Sequence, residues 1–202
     1  MTIAEKLQTI AENEQKVFEA GKKSEYDRFW DAYQNNGSLS CYSYSFAGDG
    51  WHDGTYKPKY PIVCKWNGAY MTFGYAYMTD TIVPIYVDAT TTLLNYTFNC
   101  ARELKTIREI HITETTGFSN TFYDLVKLEN LTFVGTIGQN GLNLQWSTKL
   151  SKASIENIIG CLSTSTSGLT VTLSKTAVDT AFTETEWATL IATKPNWSIS
   201  LV

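Results

Sequence analysis

The side chains that could do chemistry in this sequence are few and scattered. His52 sits in Asp49-Gly-Trp-His-Asp53, where a neighbouring carboxylate could orient an imidazole for general acid or base work. The other histidine, His111, lies between Ile110 and Ile112, and strand alternation would turn it to the face opposite those two side chains. Asp49 with Asp53 and Glu103 with Glu114 are the available carboxylate pairs, yet no spacing gathers either pair with a nucleophile and a base. The four cysteines, Cys41, Cys64, Cys100 and Cys161, include no CxxC pair. They are expected to be free thiols packed as small apolar groups rather than zinc or redox ligands. P-loop, GxGxxG, GxSxG and HExxH signatures are absent. The expectation is a chain without catalytic residues, metal or cofactor, in which His52 is a polar ring on a turn rich in Gly and Asp.

Binding is better supplied. Between Tyr42 and Tyr77 the sequence is dense in aromatics, among them Trp51, Tyr56, Trp66 and Tyr70. Flat rings with apolar faces suit the C–H faces of sugars. Arg108, His111, Thr113, Thr132 and Thr136 would face outward on strands if alternation is strict. The candidate binding residues are therefore Trp51, His52, Tyr56, Trp66, Arg108 and His111.

The elements that must position these residues are read from periodicity. Phe98-Asn-Cys-Ala-Arg-Glu-Leu104-Lys-Thr-Ile107 lies over Phe122-Tyr-Asp-Leu-Val-Lys-Leu128-Glu-Asn-Leu131 at a displacement of 24, and Trp146 continues the aromatic series. A period in the low twenties belongs to units that cannot bury their apolar side alone and stack on copies of themselves. Residues 42–77 are expected to form short strands and turns that begin that stack and seal its open end. Residues 1–36 read as a helical leader, in which Ile3, Leu7, Ile10 and Val17 follow heptad steps suited to oligomerisation or attachment. Composition changes at Gly37, which divides the chain into 1–36 and a leucine-rich-repeat-like domain, 37–202. After Trp146, Ser151 can cap a helix from Lys152 to Cys161, Leu169–Leu173 alternates as a strand, Thr183-Glu-Thr-Glu186 matches a capping box, and Trp197–Val202 alternates again. The fold class is α/β: a short leucine-rich-repeat solenoid with an N-terminal helical segment and a C-terminal helix–strand cap.

Bulk properties narrow the function classes. The chain has 202 residues, a formal net charge of −4 and 18% charged residues, without the clustered Lys and Arg that a sequence-independent grip on nucleic acid needs. Its first residues carry charge where a secretory signal needs an apolar core, and no run has the length of a membrane span. The expected product is made in the cytoplasm, without signal peptide or membrane insertion.

The Phe98 and Cys100 start with Leu104 and Ile107, taken up again from Phe122, resembles the BspA-like leucine-rich repeats of anaerobic bacteria and their phages, with Asp124 where a second Cys would stand. The run from Ala20-Gly-Lys-Lys-Ser-Glu to Tyr33-Gln-Asn, the Lys57-Pro-Lys-Tyr60 turn, Ile137-Gly-Gln-Asn-Gly141, and Glu186-Trp-Ala-Thr-Leu-Ile with Lys194-Pro-Asn-Trp197 also look like a recurrent group of gut-type bacterial and phage proteins. The resemblance implies a non-catalytic binding module, a phage or bacterial surface recognition protein taking a protein or glycan ligand. The alternative it implies is a structural or assembly protein of a phage particle, homo-oligomeric through the N-terminal helix. Either would be virion-associated or released by lysis.

Overall fold

The computed structural model describes residues 39–41, 62–64, 72–87 and 93–202, all within the unit Gly37–Val202. The leader 1–36, with Ile3, Leu7, Ile10 and Val17, and the ring candidates Trp51, His52, Tyr56 and Trp66 lie outside the described residues. The described part is mixed α/β, with two small parallel sheets and three helices.

Strands β1 (Leu39–Cys41), β2 (Ile62–Cys64), β3 (Ile85–Val87), β4 (Thr106–His111) and β5 (Asn130–Val134) pair in parallel and in chain order. Leu39 lies opposite Ile62, Ile62 opposite Ile85, Ile85 opposite Ile110, and Ile107 opposite Leu131, so each strand repeats the one before it at a nearly constant step. Ile62, Ile85, Ile107, Ile110 and Leu131 are fully buried, so the sheet is held by β-branched and large apolar side chains on one face. Pro84 sits immediately before β3, where a residue without an N–H costs no ladder bond, and its carbonyl accepts the Ile62 N–H at 3.0 Å.

The repeat is longer than the two units legible from Phe98 and Phe122. Phe73 stacks on Phe98 with ring centroids 5.1 Å apart, and Phe98 on Phe122 at 5.9 Å. All three rings are buried. The Phe73 N–H donates to Thr97 O and the Phe98 N–H to Thr121 O, at 2.7 and 3.1 Å. Residues 72–77 are thus a unit of the ladder, as expected of a segment that begins it. The same positions share an unusual backbone: Tyr75, Cys100 and Asp124 have φ of 58°, 57° and 60°, and Tyr96 and Asn120 have φ of 57° and 50°. A left-handed L-residue costs about 1–2 kcal/mol, and it recurs here because each unit must turn at the same two places to bring its next strand beside the last.

Trp146 does not continue the buried aromatic series. Glu129 donates its N–H to Lys105 O and Ser151 its N–H to Glu129 O, at 2.9 and 2.8 Å, so the unit that ends at Ser151 is two residues shorter than the one before it. Leu144 and Leu150 therefore take the core places of Phe122 and Leu128. Trp146 falls two residues past the core position, 42% exposed, edge-on to Tyr123 at 5.9 Å.

The next unit is a helix. Ser151 caps α1 (Lys152–Cys161) by accepting the Ser154 N–H, and Ile155, Ile158 and Ile159 are buried on one side. The edge of β5, where a sixth strand would pair, is met by three side chains of α1, the third being Cys161, whose Sγ donates to Phe133 O at 3.5 Å. Ser154 Oγ accepts the Leu131 N–H at 2.9 Å; Asn157 Oδ1 accepts the Phe133 N–H at 2.7 Å and Asn157 Nδ2 donates to Phe133 O at 3.1 Å. A carboxamide carries the donor and acceptor of a peptide group, so the helix supplies partners that a strand's backbone would otherwise provide.

The second sheet consists of β6 (Asn143–Leu144), β7 (Leu169–Leu173) and β8 (Trp197–Leu201). Leu169 pairs with Trp197 and Leu173 with Leu201. Helices α2 (Lys175–Ala181) and α3 (Glu184–Ile191) connect β7 to β8. The capping box forms as expected: Glu186 N–H donates to Thr183 Oγ1 at 3.3 Å and Thr183 N–H to Glu186 Oε2 at 2.8 Å. Helix α2 was not expected from the sequence. The C-terminal elements, expected as a helix–strand cap on one ladder, build a sheet of their own with β6.

Candidate functional site

Two of the sequence-derived candidates, Arg108 and His111, lie on β4. Strict alternation fails there: Ile107 and Ile110 are both buried, with Arg108 and Glu109 between them, and the register against β5 shifts at that point. Arg108 is exposed, but its guanidinium is committed to Asp80, with Nε 3.0 Å from Oδ1 and a terminal nitrogen 2.7 Å from Oδ2. The carboxylate raises the Arg108 pKa further. His111 stacks on Tyr86 at 4.1 Å and 18°, and its Nε2 lies 2.9 Å from Glu109 Oε2. Tyr86, His111 and Val134 are register partners across β3, β4 and β5, so the outward face of the first sheet carries a stacked column. Of the other residues expected to face outward, Thr136 is exposed, Thr132 is half-buried, and Thr113 is half-buried with its hydroxyl against Thr115 and Thr116.

The carboxylate pair Glu103 and Glu114 is not brought together. Glu103 pairs with Lys127 at 2.6 Å. Glu114 Oε1 accepts from Ser163 Oγ at 2.6 Å and from Ser165 Oγ at 2.8 Å, and these hydroxyls lower its pKa. Nearby, Lys194 Nζ donates to Gly160 O at 2.9 Å and to Leu162 O, a cation at the negative end of α1. This cluster pins the loop after α1 against the ladder. Cys100 and Cys161 are free thiols and half-buried rather than core; burial pushes the Cys161 thiol up. Among the described residues no group of three or more His, Cys, Asp or Glu side chains is placed to hold a metal ion, and no helix is long and apolar enough to cross a membrane.

A concave surface of a different character opens beside the second sheet. A groove of about 850 Å³ is lined by Leu93, Thr115, Gly117, Phe118, Ser119, Asn120, Gln139, Asn140, Gly141, Leu142, Asn143, Thr170 and Thr172. None of the thirteen ionises, and eight carry an amide or hydroxyl, so the groove offers donors and acceptors without net charge. Three segments build it: the turn around Asn120, whose φ of 50° holds it left-handed, the loop 139–142, and one face of β6 and β7. Two amides are fixed by the backbone. Asn140 Oδ1 accepts the Thr170 N–H at 2.8 Å and Asn143 Oδ1 the Gln145 N–H at 3.0 Å. Because each backbone group is a donor, the oxygen must face it, and the amide plane is set. Gly141, with φ of 99°, lies against the Phe118 and Ser119 backbone.

The same sheet face continues onto β8. Parallel register places Ser198 beside Thr170 and Ser200 beside Thr172, and register partners project to one side of a sheet. Sequence reasoning passed over these residues although the signal was present, since Leu169-Thr-Val-Thr-Leu173 and Trp197-Ser-Ile-Ser-Leu201 both alternate apolar with hydroxyl.

Comparison of the chain with protein-family models, with curated proteins and with solved structures finds no match in any of the three.

Proposed function

We propose that this chain is a non-catalytic binding module that takes a neutral, hydroxyl-rich ligand, a glycan, in the groove along β6 and β7. The observation that carries the reading is the lining itself: eight amide or hydroxyl side chains and no ionisable group around about 850 Å³. Sugar hydroxyls are both donors and acceptors, and they are matched by amides and hydroxyls rather than by ion pairs. Two of the amides are already oriented, which lowers the ordering cost of binding. In this reading the first sheet is a leucine-rich-repeat solenoid of the BspA-like kind, supported by the nearly constant step between its paired strands, which falls within the range of that repeat class. Its role is to hold the groove, and the setting is recognition at a bacterial or phage surface.

The test is a glycan array with the full chain, followed by calorimetry on the strongest neutral hit with Thr170→Arg. Thr170 is exposed on β7, and a surface change there is expected to alter stability by no more than about 0.5 kcal/mol. The expected result is binding to neutral glycans and a loss of at least about tenfold, or about 1.4 kcal/mol, in the variant. An array silent to neutral glycans, or a Thr170→Arg variant that binds as well as the parent, overturns the proposal.

A second reading, a structural or assembly role, is favoured by one observation: among the described residues β8 is the last strand of its sheet.

A further inference from the structure

Among the described residues β8 has a strand neighbour on one side only. The direction of its backbone groups follows from two hydrogen bonds: Val202 N–H donates to Leu173 O at 3.1 Å, and Lys175 N–H donates to Val202 O at 2.8 Å. Both groups of Val202 therefore face β7. Backbone groups alternate in direction along a strand, so Ser198 and Ser200 also face β7, while the N–H and C=O of Ile199 and Leu201 point to the open side. Among the described residues these four backbone groups, two on either side of Ser200, have no hydrogen-bond partner; Trp197 faces the same way, with its N–H held by Lys194 O at 3.0 Å.

Natural sheets guard such an edge with charge, proline or a bulge. Trp197-Ser-Ile-Ser-Leu201 has no charged residue and no proline, and its register against β7 is unbroken. Its flank is largely apolar as well: Ala188, Ile191, Ala192, Pro195, Trp197 and Ile199 line a shallow groove of about 360 Å³ together with Lys194, whose ammonium is turned to the Gly160 and Leu162 carbonyls. Nothing in the strand discourages pairing.

We infer that β8 pairs antiparallel with β8 of a second copy of this chain, about a twofold axis through Ser200. The edge of a second copy presents the matching arrangement of free groups. With the axis at Ser200, Ile199 faces Leu201 of the other copy and Leu201 faces its Ile199. Each pair exchanges two hydrogen bonds, and the backbone groups of Ile199 and Leu201 on each strand are all used. This is an isologous contact, which closes at two copies and leaves no growing end. The paired strands join two three-stranded sheets into one of six. Because Ser200 lies beside Thr172, the hydroxyl-bearing face becomes continuous across the axis. The inference stands on the edge of β8 and does not depend on what the groove binds.

Twofold pairing makes Ser200 face its own counterpart in a non-hydrogen-bonded pair, with Cα atoms about 4.5 Å apart, within the range a disulfide spans. In the full chain, Ser200→Cys should give a disulfide-linked dimer under mild oxidation at least about tenfold faster than Ser198→Cys, because only the former holds its thiols at high effective concentration. Ser198 is the more exposed of the two, so chance collision would favour the opposite order. Light scattering of the unsubstituted chain at about 100 µM, where an association of micromolar Kd is nearly complete, should give twice the 22.7 kDa of one chain. Ser200→Lys, which opposes two cations at the axis, should return it to one. A monomer at that concentration, equal cross-linking of the two cysteine variants, or a dimer that survives Ser200→Lys overturns the inference. The last outcome would assign assembly to residues 1–36 instead. If Ser200→Lys fails to fold, the cross-linking comparison decides alone.

Discussion

Asn157→Ala tests whether a helix can finish a parallel sheet with side chains. The change removes the acceptor of the Phe133 N–H and one donor to Phe133 O, bonds of 2.7 and 3.1 Å, on a strand whose Leu131 and Phe133 are buried; Phe133 O keeps Cys161 Sγ at 3.5 Å. Two lost hydrogen bonds at about 1 kcal/mol each give a destabilisation of about 2 kcal/mol, with more if water cannot reach the orphaned N–H. Since Phe133 lies on the last strand of its sheet, part of the loss should be local. Amide exchange by NMR should show Phe133 protection falling about thirtyfold, with a smaller change at Leu131, whose N–H keeps Ser154 Oγ. Asn157→Asp sharpens the test. It keeps the acceptor but sets a carboxylate oxygen against Phe133 O, which favours the protonated form and raises that side chain's pKa in the folded state above its ordinary value of about 3.9. The stability recovered by protonation is fully present below the unfolded value and is lost as pH rises through the folded one. This variant should therefore be at least as unstable as Asn157→Ala at neutral pH and gain on it in acid. Unchanged Phe133 protection in Asn157→Ala, together with an unfolding free energy within about 0.5 kcal/mol of the parent, would refute the idea that α1 closes the sheet in this way.

Three further outcomes follow from the geometry. The Glu186 carboxyl is held down to about 2 by Lys152 and by the Thr183 backbone and hydroxyl. Its contribution should be complete above the ordinary glutamate value of about 4.3 and lost as pH falls toward 2; NMR titration of the Glu186 side chain should show this, and Thr183→Ala should move the midpoint up. Gly135→Ala should destabilise by about 3 kcal/mol, because φ is +120° and a Cβ would come within 2.3 Å of Ile112 O; urea unfolding measures it. Phe98→Ala, at the centre of the Phe73–Phe98–Phe122 stack, should cost about 3–5 kcal/mol by the same measurement.

What the sequence disclosed depended on whether the signal was local. The capping box at Thr183 and the helix from Lys152 were legible because short runs of consecutive residues determine them. The ladder was legible only where two units kept both residue type and spacing, as at Phe98 and Phe122. Phe73 was missed because it stands one residue further from Phe98 than Phe98 does from Phe122. Strands β1 and β2 were missed because they are three residues each, too short to show a period. Helix α2 was hidden because its buried residues, Ala177 and Val178, make no stripe and Ser174 offers no side-chain cap. The groove was beyond reach for a different reason. Its polar residues come from three stretches of chain, and which of them share a surface is decided by strand register.

The unit that is two residues short has a consequence beyond moving Trp146 outward. Leu94-Asn-Tyr-Thr-Phe98 and Phe118-Ser-Asn-Thr-Phe122 place three residues between their buried positions, including the left-handed Tyr96 and Asn120. Leu142-Asn-Leu144 places one. Without room for a left-handed turn the chain runs straight, and that straight piece is β6, the strand on which β7 and then β8 are laid. A deletion of two residues converts a corner into a template. The second sheet, the uncharged face it presents and the open edge at its far side descend from a change in length, not in composition.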